Sequence, residues 1–148
     1  MMASIAAFEE YFDFLDELAD KLEELTEIAK EKTLAVRRDD LESVNECMKR
    51  EQALSLALRT MDTKRERMLE QLGLAGVKLS GLPEHCPPEL RQEANEVVED
   101  LREQYELYRS AAEIARTTLE VNLHQIEKMI ADEGDLPPSD GSVADIRA

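Results

Sequence analysis

Glycine and proline are scarce in this chain, with five of each among 148 residues. All ten fall in two windows, Gly73 to Pro88 and Gly134 to Gly141, so residues 1–72 and 89–133 contain neither. A β-sandwich, a Rossmann domain and a P-loop domain all need glycine at tight turns, and this distribution excludes them. Basic charge is short as well: 18 Lys and Arg face 34 Asp and Glu, a net charge of -16. Such a chain repels phosphate backbones and anionic lipid headgroups, which argues against nucleic acid and membrane surfaces as partners. No segment approaches the ~18 apolar residues of a membrane span. The N-terminus, Met1 to Phe8 followed by Glu9 and Glu10, lacks the basic stretch of a signal peptide, which predicts a cytosolic protein.

Two cysteines, Cys47 and Cys86, are too few for a disulfide framework and read as free thiols. Neither His85 nor His124 follows a Glu by three residues, so the Glu-x-x-His pairs of a di-metal bundle are missing. No Ser/His/Asp or Cys/His grouping can be placed on neighbouring rigid elements. The residues therefore predict no enzyme, no metal and no cofactor.

What is present is helical periodicity. Phe8, Leu15, Leu22, Ala29 and Val36 recur every seven residues, with Tyr11, Leu18, Leu25 and Lys32 three residues after the first four. Glu10, Glu17, Glu24 and Glu31 form a solvated row on the same helix, predicted over about 5–37. The run Arg37-Arg38-Asp39-Asp40 breaks the phase; a basic pair followed by a capping Asp predicts a tight helix-helix turn. A second helix follows over about 40–72, its seam running Val44, Cys47, Glu51, Leu54, Leu58, Met61, Arg65, Met68 and Leu72. Glu51 and Arg65 are charged seam positions 14 residues apart, too far to pair with each other, and residues of this kind set register. Segment 73–87 is the linker, its Leu74, Val77, Leu79 and Leu82 placed to pack over the bundle end.

The third helix spans about 88–133, with the row Leu90, Ala94, Val97, Leu101, Tyr105, Tyr108, Ala112, Ala115, Leu119, Leu123, Ile126 and Ile130. That row contains eleven-residue series such as Leu90, Leu101, Ala112 and Leu123, the period of a straight or slightly right-handed helix. The fold class is thus all-α: a long antiparallel hairpin plus a longer third helix in a three-helix, coiled-coil-like bundle, one domain over 1–133, with a mobile tail over 134–148. By charge, the balanced segment 37–72 (8 acidic, 8 basic) is the helix expected between acidic neighbours, residues 1–36 (10 acidic, 3 basic) and 87–133 (12 acidic, 5 basic).

Length carries the functional argument. At 1.5 Å per residue the first two helices are ~48 Å and the third ~68 Å, so the third overshoots the hairpin turn by roughly 20 Å. The overshoot is expected at about Leu119 to Asp132. Its apolar row, uncovered, is a surface for another amphipathic helix, with a second copy of the chain as the alternative occupant.

The stretch Leu25 to Leu74 resembles the flagellar export chaperones of the FlgN type. Lys32 and Leu34, Asp40-Leu41-Glu42, Val44, Glu51, Leu54, Leu58, Arg65, Leu69 and Leu72-Gly73-Leu74 carry the likeness. The family's long third helix has an Asn-x-x-Asn near its end, where this chain has Asn122 and then Gln125. The resemblance implies a cytosolic bacterial chaperone that holds hook-filament junction (hook-associated) proteins through its C-terminal part and delivers them to the flagellar type III export apparatus. Combined with the overshoot, it makes Leu119, Asn122, Leu123, Ile126, Met129 and Ile130 the client-binding candidates, the client being a C-terminal helical segment. A self-associating structural coiled coil and a general helical adaptor are the other readings.

Overall fold

The computed structural model describes residues 4–133; the tail over 134–148 lies outside the described residues. Three long helices carry the fold: α1 (Ile5–Arg37), α2 (Leu41–Gln71) and α4 (Arg91–Glu133), with the short α3 (Leu82–His85) between α2 and α4. There is no strand among the described residues. Single turns of 3-10 helix at Leu79–Gly81 and Pro88–Leu90 flank α3.

The hairpin turn is built without glycine. Arg38 ends α1, and Asp39 enters the left-handed region at φ 56°. The Asp40 amide then reaches back to the Ala35 carbonyl at 3.0 Å and the Asp39 amide to Val36 at 3.1 Å. This is the doubly bonded helix ending that glycine usually supplies; aspartate is among the few residues that tolerate the conformation. Asp40 at once caps α2, accepting from the Ser43 amide at 3.1 Å and the Ser43 hydroxyl at 2.7 Å. Three residues thus end one helix, reverse the chain and start the next. At the other end of α2 the same device uses Gly73 at φ 74°, with the Leu74 amide on the Leu69 carbonyl at 2.8 Å.

Layer order departs from the charge-based expectation. The shared helix is α1, not the charge-balanced α2: both α2 and α4 run along α1, while α2 and α4 scarcely approach each other. The reason is the width of the apolar stripe on α1. Beyond the heptad row, Phe12, Phe14, Ala19, Thr26, Ile28, Thr33 and Ala35 are also buried, giving α1 two adjoining apolar sides. One side takes α2, as shown by Lys32 on Glu51 and by Lys64 over the Phe14 ring. The other takes α4, where Ala29 packs with Ala111 and Ala115. Small side chains there let the backbones come close. The Thr26 and Thr33 hydroxyls donate to their own helix, on Leu22 and Ala29 carbonyls at 3.0 Å, and no buried hydroxyl among the described residues is left unbonded.

The main core lies at the end away from the hairpin turn. Phe8, Tyr11, Phe12, Leu15, Leu18 and Ala19 meet Leu69 from α2, Leu72 at its C-terminal cap, Leu90 from the 3-10 turn before α4, and Ala94, Val97 and Leu101 from α4. Leu82 of α3 closes this end, with Leu74 and Leu79 packed beside it. Because α2 packs mainly on α1, its seam is partly covered: Val44, Cys47 and Leu72 are buried, and Leu54, Leu58, Met61 and Met68 are half-buried.

Candidate functional site

Helix α4 runs parallel to α1, Ala94 near its start sharing a core cluster with Phe8, and Ala111 and Ala115 one with Ala29. In this register Leu119 reaches the hairpin turn, where it packs on Ala35, Val36 and Val44 beside Met48. One turn further, the Asn122 Nδ2 donates to the Asp39 Oδ1 at 3.2 Å. The same aspartate that takes the left-handed conformation therefore also ties α4 to the turn. Leu123 is 5% exposed.

Beyond that point α4 stands past the turn. Residues 124–133 form the projection, about 15 Å at 1.5 Å per residue. Ile126 is 42% and Met129 64% exposed, and Ile130 is half-buried. The projection is shorter than the lengths predicted and starts later. Leu119 and Leu123 are not in the uncovered part, because the turn rises above the last residues of α1 and closes on this stretch. Of the six sequence-derived positions, two secure α4 to the turn (Leu119, Asn122), Leu123 is buried just beyond them, and three lie past it (Ile126, Met129, Ile130).

The two charged seam positions resolve differently. Glu51 takes the Lys32 ammonium at 2.8 Å across the hairpin, with the side chains 18% and 19% exposed. Burial, with Glu51 and Tyr105 nearby, pushes the Tyr108 phenol on α4 above its ordinary value. Arg65 finds its carboxylate on its own helix, Asp62 at 3.1 Å, and lies against the Tyr11 phenol. Burial raises the Tyr11 pKa, and the Arg65 guanidinium opposes that rise.

Two features were not read from the sequence. Between α2 and α4 a groove of about 980 Å³ opens over the α1 residues Leu18 and Leu22, walled by Leu58, Leu69, Leu101 and Tyr105. It exists because α2 and α4 stand apart along this stretch, which no periodicity reveals. The second feature is a row of half-exposed aliphatics on α4: Leu107, Ile114 and Val121. Its signal was available in the seven-residue spacing, hidden beneath the stronger core row. No helix of the described residues is long and apolar enough to cross a membrane.

A family model described as FlgN protein matches residues 1–131 of the chain. No curated protein and no solved structure matches it.

Proposed function

The chain belongs to the FlgN family of flagellar export chaperones, and from that membership we propose that it holds hook-associated proteins of the hook-filament junction in the cytoplasm before they pass to the type III export apparatus. The observation that carries this reading is the projection of α4, with Ile126 and Met129 exposed past the Asn122–Asp39 hydrogen bond. A C-terminal amphipathic helix of the client lies along Ile126, Met129 and Ile130 and continues the apolar seam that Leu119 and Leu123 begin. There it is kept from its assembly partners by occupation of its own apolar face. Asn122 serves indirectly: bonded to Asp39, it sets the angle at which the projection leaves the bundle.

Only a few large side chains are available, so the grip is reversible, as a carrier requires. The test is capture of purified hook-associated proteins of a flagellated bacterium by the wild-type chain and by an Ile126→Glu/Met129→Glu variant. Capture is expected to fall at least tenfold in the variant, with helicity unchanged by circular dichroism. Undiminished capture overturns the reading, as does a wild-type dimer in light scattering that the same two substitutions dissociate.

A further inference from the structure

The outward side of α4 carries a second surface, separate from the projection. The core side of the helix is marked by Ala94, Val97, Leu101 and Ala115. At 100° per residue, Leu107, Ile114 and Val121 lie on one line turned roughly 130° from that side. All three are about half exposed, and α1 is the only long helix among the described residues packed along α4. Ser110, Thr117 and Thr118 fill the positions between them, so this face carries no charge from 107 to 121.

The preceding turns of the same face are the opposite in character. Glu96, Glu99, Asp100 and Glu103 line it, and Glu106 borders it. Arg102 holds Glu99 at 2.9 Å and Arg109 holds Glu106 at 3.7 Å. Glu96, Asp100 and Glu103 have no ion-pair partner among the described residues. The negative field extends to α1, where burial first, then Asp100 from across the helix pair and Asp13 and Asp20 on α1 itself, push the Asp16 carboxyl above its ordinary pKa.

Charge decides what this face accepts. In a parallel pair of chains the acidic turns would meet each other. In an antiparallel pair centred on Ile114, Glu96 would stand against Asp132, Glu113 within a turn of its own counterpart and Glu106 within a turn of Glu120, with Asp100 alone of the acidic group gaining a cation, Lys128. Both arrangements set like charges face to face on chains of net charge -16. We propose that the outer face of α4 docks one amphipathic helix of another protein, its Lys or Arg side chains over Glu96, Asp100 and Glu103 and its apolar row, also at seven-residue spacing, over Leu107, Ile114 and Val121. The surface is about 26 residues or ~39 Å long, room for a single helix. It does not overlap Ile126, Met129 or Ile130, so this partner and a client are held together on one chain.

The test uses a synthetic helical peptide of about 26 residues, matched in length to the face, with leucines at seven-residue spacing and four lysines at one end. A control peptide carries four glutamates instead. Binding is followed by fluorescence anisotropy at low and high salt. The lysine peptide is expected to bind the wild-type chain roughly tenfold or more tightly than the control. Glu96→Gln/Glu103→Gln is expected to weaken it severalfold and flatten its salt dependence. Ile114→Glu is the decisive variant, because it adds negative charge while removing the apolar centre. Docking predicts roughly tenfold weaker binding, and plain charge attraction predicts tighter binding. Leu107→Ser/Val121→Ser gives the same reading with no added charge, and Met129→Glu leaves peptide binding unchanged. Unchanged or tighter binding by Ile114→Glu overturns the proposal, as does equal loss with Met129→Glu. A wild-type dimer that Ile114→Glu dissociates overturns it too, since a second copy would then cover the row.

Discussion

Replacing the Lys32–Glu51 pair one partner at a time tests how the α1–α2 seam is held. The two groups meet at 2.8 Å with less than a fifth of each side chain exposed. Their attraction is about 6 kcal/mol at an effective dielectric constant of ~20, and most of it is offset by the cost of taking both ions out of water. A lone survivor is a different matter. With Glu51→Met, Lys32 stays in an apolar seam without its counter-ion. Because part of the chain still reaches solvent, the cost is about 2 kcal/mol and not the 3–5 of a fully buried ion. Lys32→Met leaves Glu51 stranded at a similar cost of about 2 kcal/mol. The double variant Lys32→Met/Glu51→Met fills the same space with apolar atoms and is expected within about 1 kcal/mol of wild type. That corresponds to a coupling of about 3 kcal/mol or somewhat more. Urea unfolding followed by circular dichroism measures all four proteins. A neutral Glu51→Met, or a double variant as unstable as the two losses added, refutes the reasoning. One further readout is independent of stability. Removing the Glu51 charge is expected to lower the Tyr108 pKa, though not to its ordinary value, because burial is the larger cause and remains.

Three other outcomes follow from burial and charge. Leu123→Ala is expected to cost about 2–4 kcal/mol and Ile126→Ser less than about 1, a contrast that thermal melts can check. Hydrogen bonds from the Ser43 hydroxyl and amide hold the Asp40 carboxyl below its ordinary value. A depressed folded-state pKa gives stability that is present above pH ~4 and lost as the pH falls through the folded value, so Asp40→Ala should remove that part of the acid-unfolding profile. Asp16 has the opposite sign: burial first and then neighbouring carboxylates raise its pKa. Its contribution is favourable only at low pH and is lost as the pH rises, so Asp16→Asn is expected to raise the melting temperature at neutral pH and leave it little changed at pH 3.

Much of the architecture could be read from residues because helices this long depend on local signals. Where glycine and proline are absent, nothing interrupts the helix. The Gly73–Pro88 window lies between the end of α2 at Gln71 and the start of α4 at Arg91, which follows a 3-10 turn at Pro88–Leu90, and the Asp40 cap is visible as an aspartate following a break in phase. The central place of α1 was less accessible. Summed charge placed α2 between its neighbours, but charges on solvated faces do not choose partners, whereas the doubled apolar stripe of Phe12, Ala19, Thr26 and Thr33 beside Phe14, Leu25 and Ile28 does. Two of those residues are threonines, which a simple count of apolar positions passes over. At the projecting end, helix lengths located the right region but misjudged its start, since they treat the hairpin turn as having no height. The Asn122 bond to Asp39 joins residues 83 positions apart and has no local signature.

By itself the sequence determined the class of fold, the three long helices, the glycine-free turn and the presence of an uncovered end on the longest helix, because each depends on neighbours within a few residues along the chain. Only the tertiary structure decided that α1 is the shared helix, that α2 and α4 leave a groove between them, and that Leu123 lies inside while Ile126 and Met129 lie outside. Those distinctions depend on which faces meet and at what height, and that is settled by packing between residues far apart in the chain.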